Sequence, residues 1–464
     1  MRWNRISTGT PGLDSLMEGG IPKGFTIMLV GNPGAGKTIL SSQFVYQGLL
    51  DNENGLYISF CEAKEQFYNN ANKLGMDFEE FERQKKFKFL DFISLTKDGI
   101  EEVFEEILSA IKLIKIKRLV LDTFSALSLA FNDRIEVRNA IHLFLGKLLK
   151  VDGLTSILIM ELPYGEKRIG IQVEASAVDG ILALELGNDN ISPLYLQILK
   201  MRSTKIDREK HVCNIINNKG LILYPKQTIG LTFPILEERI PSGIPSFDEK
   251  INGSGVKGLV RGTLTGIIGT SGSAKSTFAF QFIAEGVRKY NERGIFCSLE
   301  HSADEIRRVS KGFEYNVLDL EKNGLSIFVS NPYKENPDEF IVNLEEEIKR
   351  TKAKRLVIDG LSSFEYTYKN DMHIITKRIS SLVHKYQIST IITIHALCDN
   401  ELNLFALFQN IILFKYVEVR GCMRRILSLL KVTAAQQDES ILEFKISSES
   451  GGIEIVGPLE KDNK

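Results

Sequence analysis

The chain is one unit written twice, and that duplication constrains its fold more than any other feature. "ISTGTPGLDSLMEGGIPKG" (6–24) returns as "IPSGIPSFDEKINGSGVKG" (240–258). "GNPGAGKT" (31–38) returns as "GTSGSAKS" (269–276), and "RLVLD" (118–122) as "RLVID" (355–359), at nearly constant spacing. Copies this long are domains and not solenoid repeats, and each is large enough to bury its own core. The expected domains are 1–232 and 233–464. They part within "YPKQTIGLTFPILEER" (224–239), where Pro225, Gly230 and Pro234 punctuate the chain.

Within each copy, apolar runs alternate with helical patterns. "FTIMLVG" (25–31), "GLYISF" (55–60), "LVLD" (119–122) and "TSILIME" (155–161) read as buried strands. "TILSSQFVYQGLL" (38–50) reads as a helix, as does "EEVFEEILSAIKLIKIKR" (101–118), whose acids come first and bases last in keeping with the helix dipole. The second copy repeats the order with "LTGIIG", "STFAFQFIAEGV", "GIFCSLE", "EEEIKRTKAKR", "LVID" and "STIITIH". The expected class is α/β, two tandem domains each built on a mostly parallel, doubly wound sheet. Ligands bind such sheets at the carboxyl ends of the strands, where both glycine loops fall.

"GNPGAGKT" fits the phosphate-loop pattern G-x-x-x-x-G-K-[ST]. Glycines there let backbone amides close around phosphate oxygens. The candidate nucleotide contacts of copy one are Gly31, Asn32, Pro33, Gly34, Ala35, Gly36, Lys37, Thr38 and Ile39. Lys37 would reach the β- and γ-phosphates, and the Thr38 hydroxyl would coordinate Mg²⁺. Copy two offers Gly269, Thr270, Ser271, Gly272, Ser273, Ala274, Lys275, Ser276 and Thr277. Ala274 replaces the last glycine of the pattern. If its φ is negative, alanine fits at little cost; if positive, the strain is about 1–2 kcal/mol. Asp122 and Asp359 end apolar strands, where a carboxylate completes a Mg²⁺ shell beside Thr38 and Ser276. The expected cofactors are ATP and Mg²⁺.

Hydrolysis also needs a group that orients a water at the γ-phosphate. The end of the second strand is its natural place. Copy one reads "SFCEA" there and copy two "SLEHS", so Cys61 aligns with Glu300 and Glu62 with His301. One step along a strand turns a side chain to the other face. Glu62 and Glu300 are the candidates, and Glu62 has to reach in from a turn if Cys61 takes the base position.

Composition weighs on several alternatives, though a local basic groove stays open. Lys plus Arg number 58 and Asp plus Glu 59, a net charge of −1, which gives no electrostatic reason for a nucleic-acid or membrane partner. No run approaches the roughly 18 apolar residues of a membrane helix. "MRWNRISTGTPGLD" lacks the apolar core of a signal peptide. The five cysteines show no C-x-x-C pair. Reduced thiols in a cytoplasmic protein are the expectation.

Paired domains with the "ISTGTPGLD…GGIPKG" opening and "ILFKYVEVRGCMRRILSLLKV" (412–432) together resemble the two-domain KaiC family, in order, over nearly the whole chain. The resemblance implies tandem RecA-like P-loop NTPase domains, ATPase activity, and a homo-oligomer, a hexameric double ring with ATP between subunits. It implies two glutamates after the second strand. Copy one keeps only the second (Cys61-Glu62) and copy two only the first (Glu300-His301). It implies a Lys-x-Arg pair reaching a neighbour's ATP. "LKMRST" (199–204) supplies Lys200 and Arg202, with Thr204 close by, whereas copy two has Lys431 and then Thr433. Arg425 matches a nucleotide-contacting arginine, and Phe313 joins the candidate contacts of copy two. The family's clock member phosphorylates a Ser-Thr pair before the "IIL…YVE" strand; Phe405 and Ala406 stand there and carry no hydroxyl. That member's tail also runs past the point matching "GGIEIVGPLEKDNK". A clock role of that kind is not expected.

The leading reading is a slow regulatory ATPase, acting through a nucleotide-dependent partner protein. A DNA motor or recombinase is the alternative that needs basic channel loops. "LPYGEKRIGIQVEASAVDG" (162–180) offers Tyr164, Lys167 and Arg168, but its counterpart "ALCDNELNLFALFQN" (396–410) has no basic residue. A protein kinase using Glu300 as base and a nucleotide-bound scaffold without turnover complete the set. Copy one is the expected hydrolytic ring, so Glu62→Gln should cost more ATPase activity than Glu300→Gln.

Overall fold

The computed structural model describes residues 3–92, 100–123, 153–162, 178–187, 194–226, 238–253, 256–310, 316–395, 406–433, 436–437, 439–447 and 452–459. The chain divides into two compact units, Met1–Lys226 and Gln227–Lys464. The boundary expected at 232/233 lies outside the described residues.

Among the described residues the first unit carries nine strands in one sheet: β1 (Thr26–Gly31), β2 (Gly55–Ser59), β3 (Phe87–Asp91), β4 (Arg118–Asp122), β5 (Thr155–Glu161), β6 (Gly180–Leu186), β7 (Leu194–Met201), β8 (Lys210–Ile216) and β9 (Gly220–Tyr224). Their order is β9-β8-β7-β6-β1-β5-β4-β2-β3. From β6 to β3 all neighbours are parallel, and β7, β8 and β9 add an antiparallel flank. The second unit repeats this order with β10 (Leu264–Gly269), β11 (Gly294–Ser298), β12 (Leu325–Val329), β13 (Arg355–Asp359), β14 (Ser389–His395), β15 (Asn410–Val419), β16 (Cys422–Lys431), β17 (Leu442–Ile446) and β18 (Ile453–Pro458).

β1 sits at the centre of its sheet and is buried along its whole length, as expected for a parallel strand covered on both faces. Its side chains alternate. Ile27 and Leu29 join Leu40, Phe44 and Val45 of helix α1 (Lys37–Leu50). Met28 and Val30 join Ile107 and Ile111 of helix α2 (Ile100–Ile114). β10 repeats the arrangement between helix α3 (Lys275–Tyr290) on one face and helices α4 (Pro337–Thr351) and α5 (Met372–Tyr386) on the other. α2 stops before the expected 118. The chain leaves it through a left-handed Lys115 (φ 54), and Ile116 N–H closes back on the Ile111 carbonyl at 3.1 Å.

The arginine that opens each "RLV-D" strand is a structural pin. The Arg118 side chain is 1% exposed. Its Nε donates to Glu53 Oε2 at 2.8 Å, and its NH1 donates to the carbonyls of Ser7 (2.7 Å) and Phe44 (2.9 Å). Arg355 repeats this with Glu292 (2.7 Å), Pro241 (2.9 Å) and Phe282 (2.8 Å). Each arginine thus ties the opening segment, the helix after the loop and the Asp-ended strand into one body.

The opening segments fold around their own aspartates. Asp14 accepts from Thr8 N (2.9 Å), Thr8 Oγ1 (2.6 Å) and Ser7 Oγ (2.6 Å). Asp248 accepts from the Ser242 N–H, at 3.0 and 3.1 Å from its two oxygens. Burial pushes its carboxyl up to about 6.

Candidate functional site

Both loops leave the carboxyl end of a central strand and run into a helix whose first residue is the loop lysine. A Cβ at Gly31 would collide with the Leu184 carbonyl, and one at Gly269 with that of Phe414, so the loops begin where only glycine fits. The residue before each lysine is left-handed: Gly36 at φ 84 and Ala274 at φ 74. Alanine therefore occupies the strained alternative, at about 1–2 kcal/mol. Its methyl packs against the core of the second unit.

The lysines lie back along their own loops. Lys37 Nζ donates to the Asn32 carbonyl at 2.8 Å, and Lys275 Nζ to those of Gly269 and Thr270, both at 2.8 Å. Burial lowers the pKa of each. Glu161 and Asp122 counter that for Lys37, and Asp359 and Glu300 for Lys275. Beside them, Thr38 Oγ1 donates to Asp122 Oδ2 at 2.8 Å and Ser276 Oγ to Asp359 Oδ1 at 2.9 Å. A hydroxyl and a carboxylate side by side, next to a phosphate loop, are the hard oxygen donors that suit Mg²⁺. Burial pushes the Asp122 carboxyl up, against the pull of the Tyr57 and Thr38 bonds and of Lys37.

β2 and β11 end at Ser59 and Ser298, so the acidic candidates stand on turns and not on strands. Cys61 is exposed, with Sγ 3.8 Å from Thr123 Oγ1. Glu62 Oε1 accepts from Asn70 Nδ2 at 2.8 Å, and burial raises its carboxyl. Glu300 packs beside Gly360, 3.4 Å from Ser363 Oγ, within the field of Lys275. His301 faces Glu305 at 3.9 Å. In copy two the candidate glutamate is thus among the carboxylates whose charge acts on the loop lysine, whereas those acting on Lys37 are Glu161 and Asp122.

Glu161 escaped the sequence reading, as did His395. Each ends a strand directly beside the loop, with Gly31 paired to Glu161 and Gly269 to His395. His395 Nε2 accepts from the Ser271 N–H at 3.1 Å. They are the last letters of "TSILIME" and "STIITIH", each at the end of an apolar strand as Asp122 is.

The Lys-x-Arg pair sits at the end of β7. Lys200 Nζ donates to the Val178 carbonyl at 2.7 Å, and Lys431 Nζ makes the matching bond to Phe408 at 2.6 Å. Arg202 pairs with Asp179 at 3.1 Å while its side chain stays 55% exposed. In copy two, Thr433 instead bonds Asn410 (3.0 Å) and the Gln409 carbonyl (2.8 Å). Thr204 Oγ1 accepts from Arg5 NH1 at 3.1 Å. Arg425 Nε donates to Tyr416 Oη at 3.1 Å, and that hydroxyl donates to the Gly272 carbonyl at 2.7 Å, so Arg425 is linked to the loop of its own copy. Phe313, Tyr164, Lys167, Arg168, Cys398 and Phe405 lie outside the described residues; Ala406 is exposed. The four described cysteines are free thiols. Among the described residues no helix is long and apolar enough to cross a membrane.

The sequence profile of a family described as "ATPase: KaiC" matches residues 6–228 and again 240–460. The circadian clock protein KaiC3 of Synechocystis sp. is 27% identical over 98% of this chain and 92% of its own length. The circadian clock oscillator protein KaiC of Picosynechococcus sp. is 26% identical over 97% of this chain and 89% of its own. That of Rippkaea orientalis is 27% identical over 96% and 88%.

Proposed function

The chain belongs to the KaiC family of ATPases, with two tandem RecA-like domains, and on that premise we propose that it is a Mg²⁺-dependent regulatory ATPase. It binds ATP in both copies and hydrolyses it slowly at the subunit interfaces of a homo-hexameric double ring. It signals by changing its affinity for a regulatory protein with nucleotide state, in the cytoplasm. The observation that carries the reading is the recurrence, in both units, of a loop lysine beside a hydroxyl–carboxylate pair: Lys37 with Thr38–Asp122, and Lys275 with Ser276–Asp359. Those two pairs would hold Mg²⁺, which when bound neutralises charge developing on the phosphates. Gly31 to Ile39 and Gly269 to Thr277 would cradle the nucleotide. The two domains are proposed as 1–232 and 233–464.

Hydrolysis is assigned to copy one, with Lys200 and Arg202 reaching a neighbour's ATP. The exposed Arg202 supports this, because a transition-state arginine has to extend beyond its own domain. Glu62 is proposed to orient the water. Lys431, Arg425, Thr204 and Phe313 complete the nucleotide contacts. Mass measurement tests the assembly: a hexamer with Mg-ATP is the expected result, and a monomer with and without nucleotide would reject the ring.

One observation favours a second reading. Glu300 stands in the field of Lys275 and is open to solvent, so it could take the proton of a protein hydroxyl as a serine/threonine kinase base. Labelled ATP with and without cell extract separates transfer to protein from release of phosphate. Nothing described favours the DNA-motor reading, and a salt-dependent gel shift with single-stranded DNA checks it.

A further inference from the structure

The two metal-site carboxylates are steadied by different strands. In copy one Tyr57, fully buried on β2, donates its phenol hydroxyl to Asp122 Oδ2 at 2.8 Å, the oxygen that also accepts from Thr38. In copy two the matching residue is Phe296, which has no hydroxyl. There Thr393 on β14 donates to Asp359 Oδ1 at 2.6 Å, again the oxygen that accepts from the loop hydroxyl of Ser276. The residue matching Thr393 in copy one is Ile159, on β5.

Register explains why the exchange works. Tyr57 pairs with Val120, two residues before Asp122 and on the same face, so a long phenol reaches forward to the carboxylate. Leu121 pairs with Leu158 and Ile358 with Ile392, which puts Ile159 and Thr393 directly opposite the two aspartates, where a short hydroxyl suffices. Each copy therefore has one long or one short donor, never both: Tyr57 with Ile159, Phe296 with Thr393. Among the described residues the second oxygen of each carboxylate accepts no hydrogen bond and stays available to a metal shell. Thr393 has a second duty, since its Oγ1 accepts from Gly360 N–H at 2.8 Å and so fixes the turn after Asp359.

We propose that Tyr57 and Thr393 are interchangeable positioning residues of the two Mg²⁺ sites, each aiming its copy's carboxylate through one buried hydroxyl supplied from opposite neighbouring strands. The inference rests on the reading of Asp122 and Asp359 as metal ligands. Outer partners of metal ligands are worth about 10–100-fold in metal affinity.

The test uses the full chain carrying Lys275→Ala, so that copy one reports, and Mn²⁺ titrated by electron paramagnetic resonance with a non-hydrolysable ATP analogue. Tyr57→Phe should weaken Mn²⁺ binding by about 10-fold or more. Analogue affinity in EDTA should stay within about twofold, since the hydroxyl acts on the carboxylate and not on the phosphates. Adding Ile159→Thr, the arrangement of copy two, should restore most of the loss. Mn²⁺ affinity unmoved by Tyr57→Phe, or lost and not restored by Ile159→Thr, overturns the inference. Asp122→Asn separates the two layers: if it also leaves Mn²⁺ binding unchanged, the metal reading itself fails. If it alone abolishes binding, only the positioning role fails. Thr393→Val with Phe296→Tyr, in a Lys37→Ala chain, is the mirror experiment and should give the same pattern.

Discussion

Replacing Asp248 by asparagine should change how the stability of the second unit depends on pH. Asp248 is 7% exposed, and its carboxyl titrates at about 6 against 3.8 in solvent. Loss of hydration is the main cause, and Glu285 adds to it. The Ser242 bonds and, more weakly, Arg355 oppose it. The folded chain therefore keeps this proton through a range in which the unfolded chain has lost it. The stabilisation is complete below pH 3.8 and is lost as pH rises through about 6. The gap corresponds to about 3 kcal/mol in all, of which about 2 kcal/mol falls between pH 4.5 and 7.5. Asparagine keeps one acceptor for the Ser242 N–H and does not titrate. Urea unfolding of parent and Asp248→Asn across that range should show the variant gaining on the parent by about 2 kcal/mol as pH rises. The absolute offset carries the cost of the new amide; the slope carries the argument. A difference flat to within about 0.5 kcal/mol would refute the assignment of a raised, buried carboxyl.

Other outcomes follow from the same geometry. Ala274→Gly should stabilise the second unit by about 0.5–1 kcal/mol, relief of the left-handed strain less the entropy glycine gains on unfolding, and a loss of stability would mean the methyl packing outweighs the strain. Arg118→Met should destabilise the first unit by about 3–5 kcal/mol in denaturant titration, because Glu53 and two buried carbonyls lose their donor. Arg202→Ala should lower ATP turnover on the order of 10³-fold with ATP affinity little changed, and unchanged turnover would remove Arg202 from the reaction.

The central strands were legible because a parallel strand buried on both faces is a continuous apolar word. "TSILIME", "LTGIIG" and "STIITIH" match their strands end to end. The antiparallel flank was not, because strands such as Leu194–Met201 alternate between buried and half-buried positions and carry no loop motif. That the loop hydroxyl and the strand-end aspartate meet in each copy was readable from the loop pattern and the Asp-ended apolar strand. Glu62 was not placed by spacing: Asn70, one helix away, fixes its carboxylate. Tyr57 and Thr393 were hidden for a different reason. Within an apolar run, a hydroxyl reads as one more core residue until register sets it against a carboxylate. The backbone of Ala274 could not be read from its own letter, only from the glycine that holds its place in copy one.

The most direct test of the account is phosphate release by the full chain carrying Lys37→Ala or Lys275→Ala, measured at saturating Mg-ATP. The account predicts that Lys37→Ala abolishes most of the turnover while Lys275→Ala leaves most of it. Turnover that survives Lys37→Ala and disappears with Lys275→Ala would move hydrolysis to the second copy, and turnover that ignores both would contradict an ATPase at these loops.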